Sequence, residues 1–181
     1  KDTNRKKYPA IVVFPQNPNH SYWSNVQMVV NEKQRENFYF QNGGEPSTSM
    51  KLLMALTNNL FEQYNIKKDQ VYVMGLSMGG MGTFELVSRM PGTFAAAIPI
   101  CGGANPLITE KLKNTSWWVF HGAKDDIVPS QFSETMVFTM KQRRIDVNFT
   151  LYQDANHNSW DAAFKEPYLL SWLFSKTKKT K

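Results

Sequence analysis

The sequence predicts an α/β protein built on a mainly parallel β-sheet with helices on both faces. Short apolar runs typical of strands alternate along the chain with segments of helical periodicity. The strand runs are continuously apolar, as in parallel strands that are buried on both faces. Ligands of such sheets bind beyond the carboxyl ends of the strands. The residues that follow each strand are therefore the first candidates for function.

The predicted elements start with a strand at Tyr8–Phe14, an apolar run rich in β-branched residues. Residues 15–48 are punctuated by Asn, Pro and Gly, which predicts irregular structure. Ser47 or Ser49 caps a helix that extends to about Tyr64. The later strands are predicted at Gln70–Met74, Phe94–Ile100, Trp117–His121 and Val147–Tyr152, and the later helices at Met78–Met90, Phe132–Arg143 and Pro167–Phe174.

Length and composition predict one domain over residues 1–181, with a core of about 8–174 and basic tails at 1–7 and 175–181. The net charge is +6. The two tails, which we expect to be frayed, carry more than the whole excess, so the body is slightly negative and has no basic footprint for nucleic acid. No apolar run approaches the roughly 20 residues of a membrane span. A single cysteine, Cys101, excludes an internal disulfide and a cysteine-rich zinc site.

The segment Gly75-Leu76-Ser77-Met78-Gly79 follows a predicted strand and opens a predicted helix. This G-x-S-x-G pattern is typical of a nucleophilic serine on a sharp turn, where we expect both flanking glycines to be required for space. The N–H of Met78 would then face an oxyanion. No Gly-Lys-Ser/Thr follows, which excludes a phosphate-binding P-loop, and a plain tight turn is the remaining alternative.

A serine hydroxyl needs a base, and the chain offers His20, His121 and His157. His157 follows the last predicted strand and fits the chain order Ser, Asp, His, so we select it as the base. His121 ends the preceding strand and is interpreted as a structural turn residue. The acid that orients the base should follow that same strand, where Asp125 and Asp126 are both candidates and Asp125 is favoured.

Three blocks of the sequence, at 75–103, 118–129 and 157–164, resemble the α/β-hydrolase superfamily. They are most similar to phospholipase/carboxylesterase and feruloyl-esterase-like enzymes, near the dienelactone hydrolases and prolyl oligopeptidases. The resemblance implies an α/β-hydrolase fold with Ser77 as nucleophile, His157 as base and Asp125 as acid. The acid follows from the D-x-x-V-P pattern that ends at Val128-Pro129.

The N-terminal part departs from this family, because no His-Gly turn that would supply the second oxyanion N–H precedes Ser77. Residues 8–23 resemble the strand that comes later in the family, so the chain is expected to lack the first strands of the full fold. Two explanations are open. The chain is one piece of a longer protein whose N-terminal segment is a partner, or Pro15-Gln16-Asn17 replaces the missing loop in a shortened enzyme.

We therefore expect a serine esterase that needs no metal and no organic cofactor. The resemblance implies small acyl or aryl ester substrates, including acetyl or feruloyl esters of plant polysaccharide. Gln16, Trp23 and Trp160 are candidate substrate-binding residues, with core packing as the alternative for the two tryptophans. Two other functions remain open: a peptidase of the prolyl-oligopeptidase type and a non-catalytic binding domain with the same fold.

Overall fold

The computed structural model describes residues 2–30 and 36–178. Six strands and six α-helices are formed there, with a 3₁₀ helix at Pro106–Leu112. The strands are β1 (Val26–Val30), β2 (Glu36–Phe40), β3 (Tyr72–Leu76), β4 (Ala96–Ile100), β5 (Ser116–Gly122) and β6 (Val147–Tyr152). The helices are α1 (Asp2–Lys7), α2 (Thr48–Gln63), α3 (Met78–Arg89), α4 (Gln131–Gln142), α5 (Trp160–Ala163) and α6 (Leu169–Phe174).

The central sheet has four parallel strands in the order β3-β4-β5-β6. The sequence predicted all four of these strands, three of them with bounds shifted by one or two residues. Every residue of β4 is buried, as expected for a strand paired on both sides and covered on both faces. The carboxyl ends of the four strands lie at one edge of the sheet, so this topology gathers the residues that follow them.

Helices cover both faces of the sheet, which confirms this part of the fold prediction. On one face α3 and α4 enclose the larger apolar cluster, in which Phe84 stacks on Trp117 of β5 at 5.2 Å between ring centroids. On the other face α5 and α6 contribute Ala163, Leu169 and Leu173 to a second cluster. Alternate residues of each strand contribute to the two clusters, because successive side chains point to opposite faces.

A two-stranded antiparallel hairpin, β1 and β2, lies outside the central sheet. The sequence analysis predicted irregular structure here, so this prediction is wrong for residues 26–30 and 36–40. Phe38 of the hairpin packs with Met81 of α3 and Val128 of the loop after β5. The hairpin therefore bridges two of the segments that carry predicted site residues.

The predicted strand at Tyr8–Phe14 is also wrong. Residues 9–14 form no ladder with any described strand, and their side chains are exposed, Phe14 to 80%. Apolar, β-branched composition favours a strand only where a partner supplies the backbone hydrogen bonds and a surface to pack on. Among the described residues β3 pairs only with β4, and segment 9–14 does not extend that sheet.

The basic termini are more ordered than predicted. Residues 2–7 form α1, and Tyr8 packs on Phe174 with ring centroids 4.9 Å apart. At the other end, the Lys178 N–H donates to the Asp69 carbonyl at 2.9 Å. Both termini are therefore attached near β3 and α6, while residues 1 and 179–181 of the predicted tails lie outside the described residues. No helix in the described ranges has the length and apolar character needed to cross a bilayer.

Two phenylalanine truncations distinguish the core from the exposed N-terminal segment. Phe84→Ala empties a position that is 0% exposed and is expected to lower the free energy of unfolding by about 3–5 kcal/mol. Phe14→Ala removes the same ring from a side chain that is 80% exposed and should change it by less than about 0.5 kcal/mol. Urea unfolding followed by circular dichroism measures both. A large loss for Phe14→Ala would contradict the exposed placement of this segment.

Candidate functional site

Ser77 lies on the turn between β3 and α3, with φ 52° and ψ −119°. A left-handed φ is unfavourable for a residue with a Cβ and persists where the surrounding structure enforces it. Here the Ser77 N–H donates to the Ile100 carbonyl at 2.9 Å, and the Ser77 carbonyl accepts from the Met81 N–H at 3.0 Å. The turn is therefore fixed at the end of β4 on one side and in the first turn of α3 on the other.

Glycines allow the backbone to approach closely around this turn, but not at both flanking positions as the sequence predicted. A Cβ on Gly75 would lie 2.2 Å from the Gly79 carbonyl oxygen, whereas a Cβ on Gly79 would meet nothing within 4 Å. The other crowded contact is between Gly80 and Gly102. A Cβ on Gly102 would lie 2.5 Å from the Gly80 carbonyl carbon. Of the two flanking glycines, only Gly75 is required for space.

The structure brings the predicted base to the predicted nucleophile. His157 lies in the loop after β6, and its Nε2 is 2.9 Å from Ser77 Oγ. The His157 side chain is 19% exposed, so the ring is accessible from solvent at this edge of the sheet. The ring of Trp160 meets it edge to face, with centroids 5.3 Å apart. Trp160 thus lies beside His157, and it also packs against the apolar cluster that contains Ala163.

Asp125 lies on the other side of the base. His157 Nδ1 is 3.0 Å from Asp125 Oδ1 and 2.9 Å from Oδ2. Oδ1 also accepts from the N–H groups of Ile127 and Val128 at 3.0 and 2.8 Å. The alternative acid, Asp126, is exposed, and its described contact is a backbone N–H that donates to Asn156. The geometry thus favours Asp125 over Asp126.

The electrostatics of Asp125 favour its ionised form. Burial raises the pKa of this carboxyl, but hydrogen bonds from His121, from His157 and from a backbone N–H outweigh burial. The charge of His157 acts in the same direction, and the pKa of Asp125 lies below its ordinary value. A carboxylate in this position can hold the Nδ1 proton of His157 and leave Nε2 free to accept one.

The remaining predicted site residues lie at different distances from Ser77. Met78 begins α3, so its N–H belongs to the first helical turn, where backbone donors have no intrahelical partner. The neighbour of Gln16, Asn17, places Nδ2 3.4 Å from Met78 Sδ, while Gln16 itself is exposed. Trp23 packs against Gly82 of α3 and belongs to the larger apolar cluster. Asn17 therefore contacts the residue after Ser77, no contact of this kind is recorded for Gln16, and the described contacts of Trp23 are packing contacts.

Two further residues shape the site without having been predicted from the sequence. Asn156 Oδ1 accepts from the backbone N–H of Asp126 at 3.1 Å and from that of His157 at 2.6 Å. It therefore ties the loop after β5 to the loop after β6. Gly122 permits this approach, since a Cβ there would lie 2.4 Å from the carbonyl oxygens of Ala155 and Asn156. The sequence signal was the glycine that directly follows an apolar strand.

A metal ion is disfavoured by the chemistry of the potential ligands. Ligand atoms of Cys101, Asp125 and His157 lie within 4.8 Å of one another. Burial raises the pKa of the Cys101 thiol to about 12, with the Asp125 charge adding to the effect. A metal ion here would have to remove the Cys101 proton and displace the hydrogen bond between His157 and Asp125 at 2.9 Å.

Alanine substitutions at Gly75 and Gly79 test whether only Gly75 is required for space beside the Ser77 turn. Gly75→Ala places a Cβ 2.2 Å from backbone and is expected to destabilise the fold and displace the serine turn. Gly79→Ala enters open space in a helix, where alanine is favoured over glycine by up to about 1 kcal/mol, so stability should be kept or slightly raised. Urea unfolding measures both variants. Equal destabilisation by the two would refute this account of the turn.

Comparison with known proteins agrees with this architecture. The family model described as Phospholipase/Carboxylesterase matches residues 12–168. A solved structure of a thermostable esterase has 28% identity and a TM-score of 0.84 over 98% of this chain and 47% of that one. The dipeptidyl peptidase 4 of Porphyromonas gingivalis has 18% identity and a TM-score of 0.62 over 70% of this chain and 22% of that one, a likeness in fold alone.

Among curated proteins, a bifunctional acetylxylan esterase/xylanase of Neocallimastix patriciarum is 32% identical over 77 residues. These residues are 42% of this chain and 11% of the relative. The chain thus spans about half of the thermostable esterase and a small part of the xylan-acting relative. The match over residues 12–168 and the helix-covered parallel sheet confirm the predicted α/β-hydrolase fold, and the chain belongs to the phospholipase/carboxylesterase family.

Proposed function

We propose that this chain carries the catalytic site of a serine hydrolase that cleaves carboxylic esters. One observation carries the proposal: a continuous hydrogen-bonded series from Ser77 Oγ through His157 to Asp125, with distances of 2.9 Å on each side of the imidazole. The serine stands on a left-handed turn at a helix N-terminus. Membership of the phospholipase/carboxylesterase family supports the ester as the bond that is cleaved.

The proposed reaction uses each group in one role. His157 Nε2 takes the proton of Ser77 Oγ, which attacks the ester carbonyl carbon. The N–H of Met78 stabilises the oxyanion, while Asp125 stabilises the imidazolium that forms. His157 then gives the proton to the departing alcohol and an acyl-enzyme remains. Water attacks the acyl group with His157 again as the base, so the acid is released and the serine is restored.

The substrate class that we propose is a small acyl or aryl ester, including an acetyl or feruloyl ester carried on plant polysaccharide. The xylan-acting relative supports a polysaccharide-linked substrate through its name and 32% identity over 77 residues. The position of Trp160 gives a second support, because its ring lies 5.3 Å from that of His157 and offers an apolar wall beside the acyl group. This chemistry requires neither a metal nor an organic cofactor.

Covalent labelling tests the activated serine directly. A fluorophosphonate is expected to add once to the chain, because His157 makes the Ser77 hydroxyl nucleophilic in a way that the other serines are not. Intact-mass spectrometry measures the adduct. Ser77→Ala should lose it, and Ser171→Ala, an exposed serine on α6, should keep it. A folded chain without an adduct would contradict the proposal and favour the non-catalytic binding domain.

Substitution of each of the two neighbouring aspartates tests which one is the acid. A comparison of two substrates tests which bond is cleaved. Asp125→Asn is expected to lower kcat for p-nitrophenyl acetate by about 10⁴-fold, because the amide selects the wrong tautomer of His157. Asp126→Asn should stay within about twofold of the unchanged protein, since its side chain is exposed. Absorbance at the nitrophenolate band measures both. Cleavage of a prolyl anilide peptide without cleavage of the acetate ester would overturn the ester in favour of the peptidase.

A further inference from the structure

A second histidine contacts the same carboxylate. His121 is the penultimate residue of β5 and is 0% exposed. Its Nε2 is 3.1 Å from Asp125 Oδ2 and 2.8 Å from the Val128 carbonyl oxygen. Its Nδ1 is 2.7 Å from Ser133 Oγ. The sequence analysis interpreted this residue as a structural turn residue, but its ring is a full member of the hydrogen-bonded series that ends at Ser77.

The chemistry of the partners fixes where His121 carries a proton. Nε2 faces a carboxylate and a carbonyl oxygen, and both groups only accept hydrogen bonds, so Nε2 carries a hydrogen and donates it. Ser133 Oγ lies 2.8 Å from the Gly102 carbonyl oxygen as well as 2.7 Å from Nδ1. The hydroxyl proton goes either to Nδ1 or to the Gly102 carbonyl oxygen, and in the second arrangement Nδ1 carries a hydrogen and donates it to Oγ. In either arrangement Nε2 remains the donor toward Asp125.

Both oxygens of Asp125 lie within hydrogen-bond distance of His157 Nδ1, but their other partners differ. Oδ1 accepts from two backbone N–H groups, which hold it in the loop after β5. Oδ2 accepts from two histidine rings, His157 at 2.9 Å and His121 at 3.1 Å. His157 has to change its protonation state during the proposed reaction, whereas His121 is buried and fixed through Ser133. His121 is therefore the side-chain donor that stays in place.

We propose that His121 is a positioning residue: the hydrogen on its Nε2 holds Asp125 Oδ2 in place beside His157 and stabilises the negative charge of the Asp125 carboxylate. This inference rests on the proposed function, in which Asp125 orients the base. Loss of the His121 donor would leave Oδ2 with His157 as its side-chain donor. The carboxylate would then attract the Nδ1 proton more strongly, and the pKa of His157 would rise.

Other titratable groups near this cluster do not complicate the expectation. In the part of the chain that the structure describes, the ionisable side chains in contact with Asp125 or beside it are those of His121 on β5, His157 after β6 and Cys101 after β4. The pKa of Cys101 is raised to about 12, so the thiol stays neutral through the pH range in which histidine titrates. Glu134 on α4 accepts instead from Ser130, at 2.7 Å.

Two substitutions at His121 distinguish loss of the hydrogen-bond donor toward Asp125 from loss of the volume of the ring. The amide nitrogen of glutamine can occupy the place of Nε2, so His121→Gln keeps a donor toward Asp125. The shorter His121→Asn reaches only the place of Nδ1 and loses that donor. Thr115→Val serves as a control for simple destabilisation, because Thr115 is 1% exposed and donates to the Phe94 carbonyl, outside this series.

Nitrogen-15 NMR of the histidine rings is the test, and with three histidines in the chain each signal is assigned by single substitution. His121→Asn is expected to raise the pKa of His157 by about one pH unit, which corresponds to about 1.4 kcal/mol. His121→Gln and Thr115→Val should leave it within about 0.3 units of the unchanged protein. The pH below which fluorophosphonate labelling of the protein is lost should shift in the same direction as the pKa of His157 measured by NMR. An unchanged pKa of His157 in folded His121→Asn overturns the inference.

The unchanged protein gives a second readout that needs no variant to fold. We expect its His121 signals to report a hydrogen on Nε2 throughout the titration, and a bare Nε2 overturns the inference. The NMR result is independent of turnover. Absence of labelling on the unchanged protein would refute the proposed function, while a shifted His157 pKa in His121→Asn would still support the contact between His121 and Asp125.

Discussion

The closeness of two backbone segments is the constraint on which the site depends. The first turn of α3 lies against the residues after β4, where a Cβ on Gly80 would come within 2.5 Å of the Ile100 carbonyl oxygen and one on Gly102 within 2.5 Å of the Gly80 carbonyl carbon. Only glycine fits on both sides of such a contact. Because α3 begins this close to β4, the chain must turn sharply at Ser77, and its left-handed φ follows from that geometry. The position of the serine is a property of strand and helix packing.

The same contact is part of a closed ring of interactions that includes the rest of the site. Ser133 Oγ on α4 lies 2.8 Å from the Gly102 carbonyl oxygen and 2.7 Å from His121 Nδ1. His121 bonds to Asp125, Asp125 to His157, and His157 returns to Ser77. The exposed fraction of the side chains increases along this ring, from 0% for His121 and Asp125 to 19% for His157. In the proposed reaction the negative charge of Asp125 is thus held where water is excluded, and the proton is exchanged at the more exposed His157.

The sequence predicted the parts of the structure that local rules determine. Continuous apolar runs located β3 to β6, and topology then placed Ser77, Asp125 and His157 at one edge of the sheet. The sequence-based predictions were wrong where the local structure depends on residues that are distant in the sequence. Tyr8–Phe14 has the composition of a strand but pairs with none of the described strands. The hairpin β1–β2 is defined by pairing that no local pattern in the Asn- and Pro-rich region revealed. Asn156 was missed for the same reason, because its partners belong to two separate loops.

The difference between His121 and His157 shows why residue type alone could not assign the base. Both rings follow parallel strands, and both bond to Asp125 Oδ2, at 3.1 and 2.9 Å. What separates them is the partner on the far nitrogen. Nδ1 of His121 meets a buried hydroxyl that is fixed to a backbone carbonyl, whereas Nε2 of His157 meets the Ser77 hydroxyl at the exposed turn. A base must exchange its proton with a reacting group, and a fully enclosed ring has no such group within reach. In the proposed reaction, burial of the second nitrogen, a tertiary property, thus distinguishes the ring that moves a proton, His157, from the ring that keeps it, His121.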